Sequence, residues 1–248
     1  MRAHERLGLG PEDVTAGCYY SSPLHMSLRQ FRRGARSAPV RRRAPQPQPS
    51  SLGVHAAVGD ARHKAKLIRE QRPDDLDLVI AHSLGAVPVA LEYSAGALRA
   101  PLVLVEPALY DVARGDPAVE AHIGTVTVAR ARAAGGDLYG FWQFNAPLMF
   151  SREATIEAWP EDLSVAERLV DLQPPWGHGI RAADFIDVQV LVVTGNWSAE
   201  FEAIAAKLAE VGAEHVRLTG SGHRPQDQEE FESVLVSFAA ESPLRDSP

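Results

Sequence analysis

Two residues of this sequence have the type and setting for joint chemistry: Ser83, in Ala81-His82-Ser83-Leu84-Gly85, and His223, in Gly220-Ser221-Gly222-His223. Ser83 follows the apolar run Leu78-Val79-Ile80 and precedes the small-residue stretch Ala86–Ala90. A strand that turns into a helix within two residues tolerates only small neighbours, and Ala81 and Gly85 bracket Ser83 at the spacing of a nucleophile elbow. Such a turn lifts a serine hydroxyl to the carboxyl edge of a sheet. It also places the Leu84 N–H at a helix N-terminus, where partial positive charge favours a developing oxyanion. A hydroxyl needs a base in order to attack. Imidazole has its ordinary pKa near neutrality, and Gly220 and Gly222 let the loop aim the His223 ring. The plainer reading of Ser83 is a helix N-cap, and that of His223 a surface-loop histidine.

The elements that must position these residues are legible downstream of residue 55. Ala56–Arg72 has helical spacing, and Pro73 follows its end. Leu78–Ile80, Ala100–Val105, Val188–Val193 and His215–Leu218 read as strands. Helices are expected at Ala199–Val211, ended by Gly212, and at Gln226–Ala240. Residues 110–185 lack strand signals and hold much of the aromatic content, including Tyr110, Trp142, Phe144 and Trp176. That composition predicts an inserted helical cap, with Trp142 and Phe144 expected at a hydrophobic substrate.

Bulk properties narrow the class. A 248-residue chain with 45% hydrophobic and 23% charged residues is that of a globular α/β protein. Its only cysteine, Cys18, excludes a disulfide framework and a thiolate metal site, and fits a reducing, cytoplasmic setting. No apolar run reaches membrane-span length, and the net charge of −7 argues against nucleic acid as the main partner. Residues 1–45 carry +6 and the remainder −13.

From the small-x-Ser-x-Gly elbow to the Gly-Ser-Gly-His before the last helix, residues 76–240 resemble the C-terminal two-thirds of an α/β-hydrolase fold protein. The resemblance implies a mostly parallel sheet with flanking helices and an inserted helical cap, and a Ser–His–acid triad. Many relatives place the acid after the penultimate strand, where this chain has Gly195-Asn196-Trp197-Ser198. Others take it from the end of the strand after the elbow helix, and Glu106 stands in that position, with Asn196 and Asp111 behind it. His82, His122, His178 and His215 are read as surface-loop histidines without a catalytic part, with His82 shaping the elbow. The resemblance also implies a second oxyanion donor before the elbow, where no His-Gly occurs.

Residues 1–54 fit the fold least. No apolar strand is recognisable there, and Arg41-Arg42-Arg43 and Pro-Gln-Pro-Gln-Pro are expected of a disordered or out-of-frame segment. The expected organisation is therefore 1–54 anomalous, 55–111 and 186–242 the hydrolase-like core, and 112–185 the cap. The expected function is a serine hydrolase acting on a hydrophobic ester, thioester or lactone. It would use Ser83, His223 and Glu106, with Leu84 as oxyanion donor, and neither metal nor organic cofactor. The alternative is a non-catalytic ligand-binding relative.

Overall fold

A computed structural model describes residues 26–29, 60–72, 76, 78–150 and 152–241. Five strands form one sheet in chain order: β1 (Met26–Arg29), β2 (Leu78–His82), β3 (Leu102–Val105), β4 (Val190–Thr194) and β5 (Glu214–Arg217). β2 to β5 run parallel, with Val79 opposite Leu102, Leu102 opposite Val190, and Leu191 opposite Glu214. The α/β class expected from the sequence is the one observed.

The central strands are buried on both faces, as their unbroken apolar runs require. On one face Val79, Ala81, Leu102, Leu104 and Val192 pack with helices α1 (Ala61–Gln71), α2 (Ala86–Ser94) and α6 (Ala199–Ala209). On the other, Leu78, Val103, Val105, Leu191 and Val193 meet Leu235 and Phe238 of α7 (Glu230–Glu241). Nearly every residue of α2 is buried, which explains its small side chains. Pro88 is tolerated because it lies in the first turn, where its missing N–H has no helical partner to lose. Arg69 of α1 donates twice to the buried Glu92 of α2, at 2.8 Å each, and ties the two helices together.

Between β3 and β4 stand α3 (Pro117–Ala134), α4 (Leu138–Phe150) and α5 (Trp159–Asp171), the helical insertion expected from composition. They share a small core of their own around Phe141, Trp142, Ala146 and Ala166. Asp162 fastens it by accepting from Trp142 Nε1 at 2.8 Å and from both terminal nitrogens of Arg152.

One expectation is corrected. A strand does form within the first 57 residues: β1 pairs antiparallel with β2, from Met26 opposite Ala81 to Arg29 opposite Leu78. The elbow strand is therefore not left with an open edge on that side. Met-Ser-Leu-Arg alternates apolar and polar residues, so a search for a continuous apolar run passes over it. The remaining expectations for residues 1–54 lie outside the described residues. No helix among the described residues is long and apolar enough to cross a membrane.

Candidate active site

Ser83 occupies the turn between β2 and α2 with φ of 53°. That left-handed conformation is costly for a non-glycine residue and throws the side chain out of the sheet. Glu106 (φ 45°) and Asn196 (φ 53°) adopt the same conformation just past β3 and β4. Among the described residues these are the non-glycine positions with positive φ, and all three sit on the carboxyl edge of adjacent strands.

His223 meets Ser83 across that edge, with Nε2 2.9 Å from Ser83 Oγ. Its Nδ1 lies 3.7 Å from Glu106 Oε2, within ion-pair reach but without an aligned hydrogen bond. A carboxylate facing Nδ1 assigns the ring proton to that nitrogen and leaves Nε2 to accept from the serine. Glu106 is fully buried, and its other oxygen accepts the Gly195 N–H. Oε2 also accepts the Trp197 indole N–H at 3.1 Å. The His223 ring is flanked by Phe201 at 5.3 Å, Trp197 at 5.8 Å and His82 at 4.8 Å between centroids.

Gly195 is required for this packing. A Cβ there would stand 2.1 Å from the Gly222 carbonyl oxygen, so any side chain would drive the His223 loop off the sheet edge. From the opposite side His82 Nε2 donates to the His223 carbonyl at 3.0 Å. Burial, then the neighbouring charge of His223, pushes the His82 pKa down to about 3, so this ring is neutral and acts as a brace.

The other candidates are placed as follows. Leu84 lies in the helical turn directly after Ser83 and faces the same cavity, its N–H among those that have no partner within the helix. A second oxyanion donor from before the elbow falls outside the described residues. Asp111 is turned elsewhere, accepting the N–H groups of Gly177, His178 and Gly179 at 2.7, 2.7 and 2.8 Å. Asn196 is exposed.

A cavity of about 150 Å³ opens in front of Ser83 and His223, walled by core loops and by the cap. Trp142 and Phe144, expected at the substrate, are not in its wall. Trp142 is buried inside the cap against Asp162, and Phe144 lies under Arg132, 5.2 Å from its guanidinium carbon. The face of α4 that meets the cavity carries Phe141, Asn145 and Leu148, at helical spacing. His122, expected in a surface loop, stands instead on α3. It lines the cavity with Nε2 3.1 Å from the Tyr110 hydroxyl and Nδ1 3.1 Å from Glu200 Oε1. Burial first, and then the Glu200 and Glu106 charges, push the Tyr110 phenol well above its ordinary pKa, so it keeps its proton. Among the described residues, no cluster of three or more His, Cys, Asp or Glu is placed to hold a metal ion.

Among the curated proteins none matches the chain. Among solved structures, MenH from S. aureus is 16% identical at a TM-score of 0.49, over 75% of this chain and 79% of that one. A carboxylesterase structure from the ammonia-oxidizing thaumarchaeon Nitrososphaera gargenis is 14% identical at a TM-score of 0.44, over 77% and 75%. A family model described as the alpha/beta hydrolase family matches residues 8–234. With a match over most of its length, the chain belongs to the alpha/beta hydrolase family.

Proposed function

We propose that this hydrolase cleaves a carboxylic ester, thioester or lactone through an acyl-enzyme on Ser83. The observation that carries the reading is the 2.9 Å contact between Ser83 Oγ and His223 Nε2, with buried Glu106 on the far side of the ring. Ser83 Oγ attacks the carbonyl carbon while its proton passes to Nε2. The negative charge that develops on the carbonyl oxygen is met by the Leu84 N–H at the helix start. The imidazolium, facing the Glu106 carboxylate, then gives its proton to the leaving alkoxide or thiolate, and that bond breaks. Water enters, loses a proton to His223 and attacks the acyl carbon, and Ser83 recovers its proton as the acid product leaves.

The apolar walls of the cavity support a small hydrophobic substrate. The lone cysteine, Cys18, supports a cytoplasmic setting. A fluorophosphonate probe tests the reading. Covalent labelling of Ser83, abolished in His223→Ala, is expected. Ligand binding without any labelling of the native protein would identify a non-catalytic binder and refute it.

A further inference from the structure

The cavity is not uniform along its length. Helix α3 turns His122, Val126 and Arg130 into it, one turn apart at each step. The His122 end is fixed to the core through Tyr110 and Glu200. The Arg130 end is fixed to the cap, where a guanidinium nitrogen donates to the Val170 carbonyl at 3.2 Å. At 1.5 Å of rise per residue these two ends are about 12 Å apart. The same cavity is lined by Val126, Phe141, Leu148 and Leu169, with Asn145 and Gln173 as polar residues among them.

Arg130 differs from its neighbours in the cap. Arg114, Arg132 and Arg152 each face a carboxylate, on Glu120, Asp137 and Asp162 respectively. No carboxylate among the described residues stands within ion-pair reach of Arg130. Arg130 is half-buried, and its guanidinium has five N–H donors, one of which goes to the Val170 carbonyl. Glu200, the acid on the same cavity, works in the opposite direction. Burial opposes its charge, but the His122 ring 3.1 Å away and a hydrogen bond from the Ser198 hydroxyl outweigh that and lower its pKa, so it repels an anion at the His122 end.

We propose that Arg130 pairs with a carboxylate at the far end of the substrate's acyl chain, so that the preferred substrates are monoesters of medium-length dicarboxylic acids. The proposal rests on the reading of Ser83 as the nucleophile. It adds that the scissile carbonyl lies at Ser83, the methylene chain runs along α3, and the free carboxylate takes the guanidinium fork in a bidentate pair.

Two measurements test it. In the first, 4-nitrophenyl hydrogen suberate and 4-nitrophenyl octanoate, equal in chain length, are compared as substrates. Arg130→Met is expected to lower the kcat/KM ratio of the anionic to the neutral ester about 10- to 100-fold, chiefly through KM, with partial recovery in Arg130→Lys. In the second, monomethyl suberate and methyl octanoate are titrated into Ser83→Ala, read by the fluorescence of Trp176 and Trp197 in the cavity wall. Adding Arg130→Met is expected to weaken the anion by a similar factor relative to the neutral ester. A ratio that moves less than about threefold, or two ligands that weaken together, would overturn the proposal and leave Arg130 as a brace for Val170. Failure of hydrolysis with anion-selective binding intact would instead refute the acyl-enzyme reading alone.

Discussion

Trp197 and Glu106 are joined by an indole hydrogen bond, 3.1 Å long, to the carboxylate oxygen that also faces His223 Nδ1 at 3.7 Å. In the proposed triad this indole, from the loop after β4, holds the Glu106 carboxylate beside the His223 ring. Trp197→Phe keeps the ring packing against Phe201 and His223 and removes the donor. A hydrogen bond to a charged group is worth roughly 1.5–3 kcal/mol, so kcat should fall by about 10-fold or more with little change in KM. Steady-state kinetics on a 4-nitrophenyl ester checks this. A loss confined to KM would show that Trp197 serves substrate binding instead.

Ser83 and His223 should behave as one unit. Either alanine variant is expected to remove nearly all of kcat, and the double variant to cost little more. Multiplicative losses in the double variant would separate the two residues into independent roles.

Asp111 and Glu106 should part company under mutation. Glu106→Gln is expected to lower kcat by about two to four orders of magnitude, because the imidazole loses the carboxylate that orients it. Asp111→Asn weakens three backbone hydrogen bonds to residues 177–179, next to the cavity wall formed by Pro174, Pro175 and Trp176. It should raise KM and lower the melting temperature while sparing kcat. The two variants measured side by side decide which carboxylate serves the histidine.

His82 makes a prediction about acid stability. Its folded pKa of about 3 lies below the ordinary 6.5 of the unfolded chain, so protons bind the unfolded state more readily. Stability should therefore fall as pH drops from about 6.5 towards about 3, by at most about 1.4 kcal/mol per pH unit from this group. Urea melts at pH 7, 5.5 and 4 should show a shallower decline in His82→Asn than in the native chain. Parallel declines would contradict the assignment.

Much of this arrangement was legible in the sequence, for identifiable reasons. The elbow and His223 announce themselves because a tight strand-to-helix turn and a glycine-flanked loop leave few residue choices, whereas Glu106 is favoured only through the family resemblance, with Asn196 and Asp111 behind it. The phase of a helix is less legible. Leu138–Phe150 is apolar nearly all round, so sequence alone does not say whether Trp142 or Phe141 faces the cavity, and the buried Asp162 settles it by capturing the indole. The placement of His122 at the cavity is illegible for a related reason. Its partner Glu200 lies far along the chain, on an element that only the folded sheet brings alongside. The short strand Met26–Arg29 escaped because four alternating residues beside arginine-rich sequence carry almost no periodic signal.

The left-handed backbone at Ser83, Glu106 and Asn196 has a consequence for how this chain can change over time. Each such position carries of order 1–3 kcal/mol of strain, concentrated on one rim of a molecule whose total stability is itself small. Glycine at Ser83 would relax the turn, so drift free of any demand for chemistry would favour replacing it. A serine in that backbone therefore costs stability that a glycine would recover. The most thermostable descendants of this protein should then be found among its inactive ones.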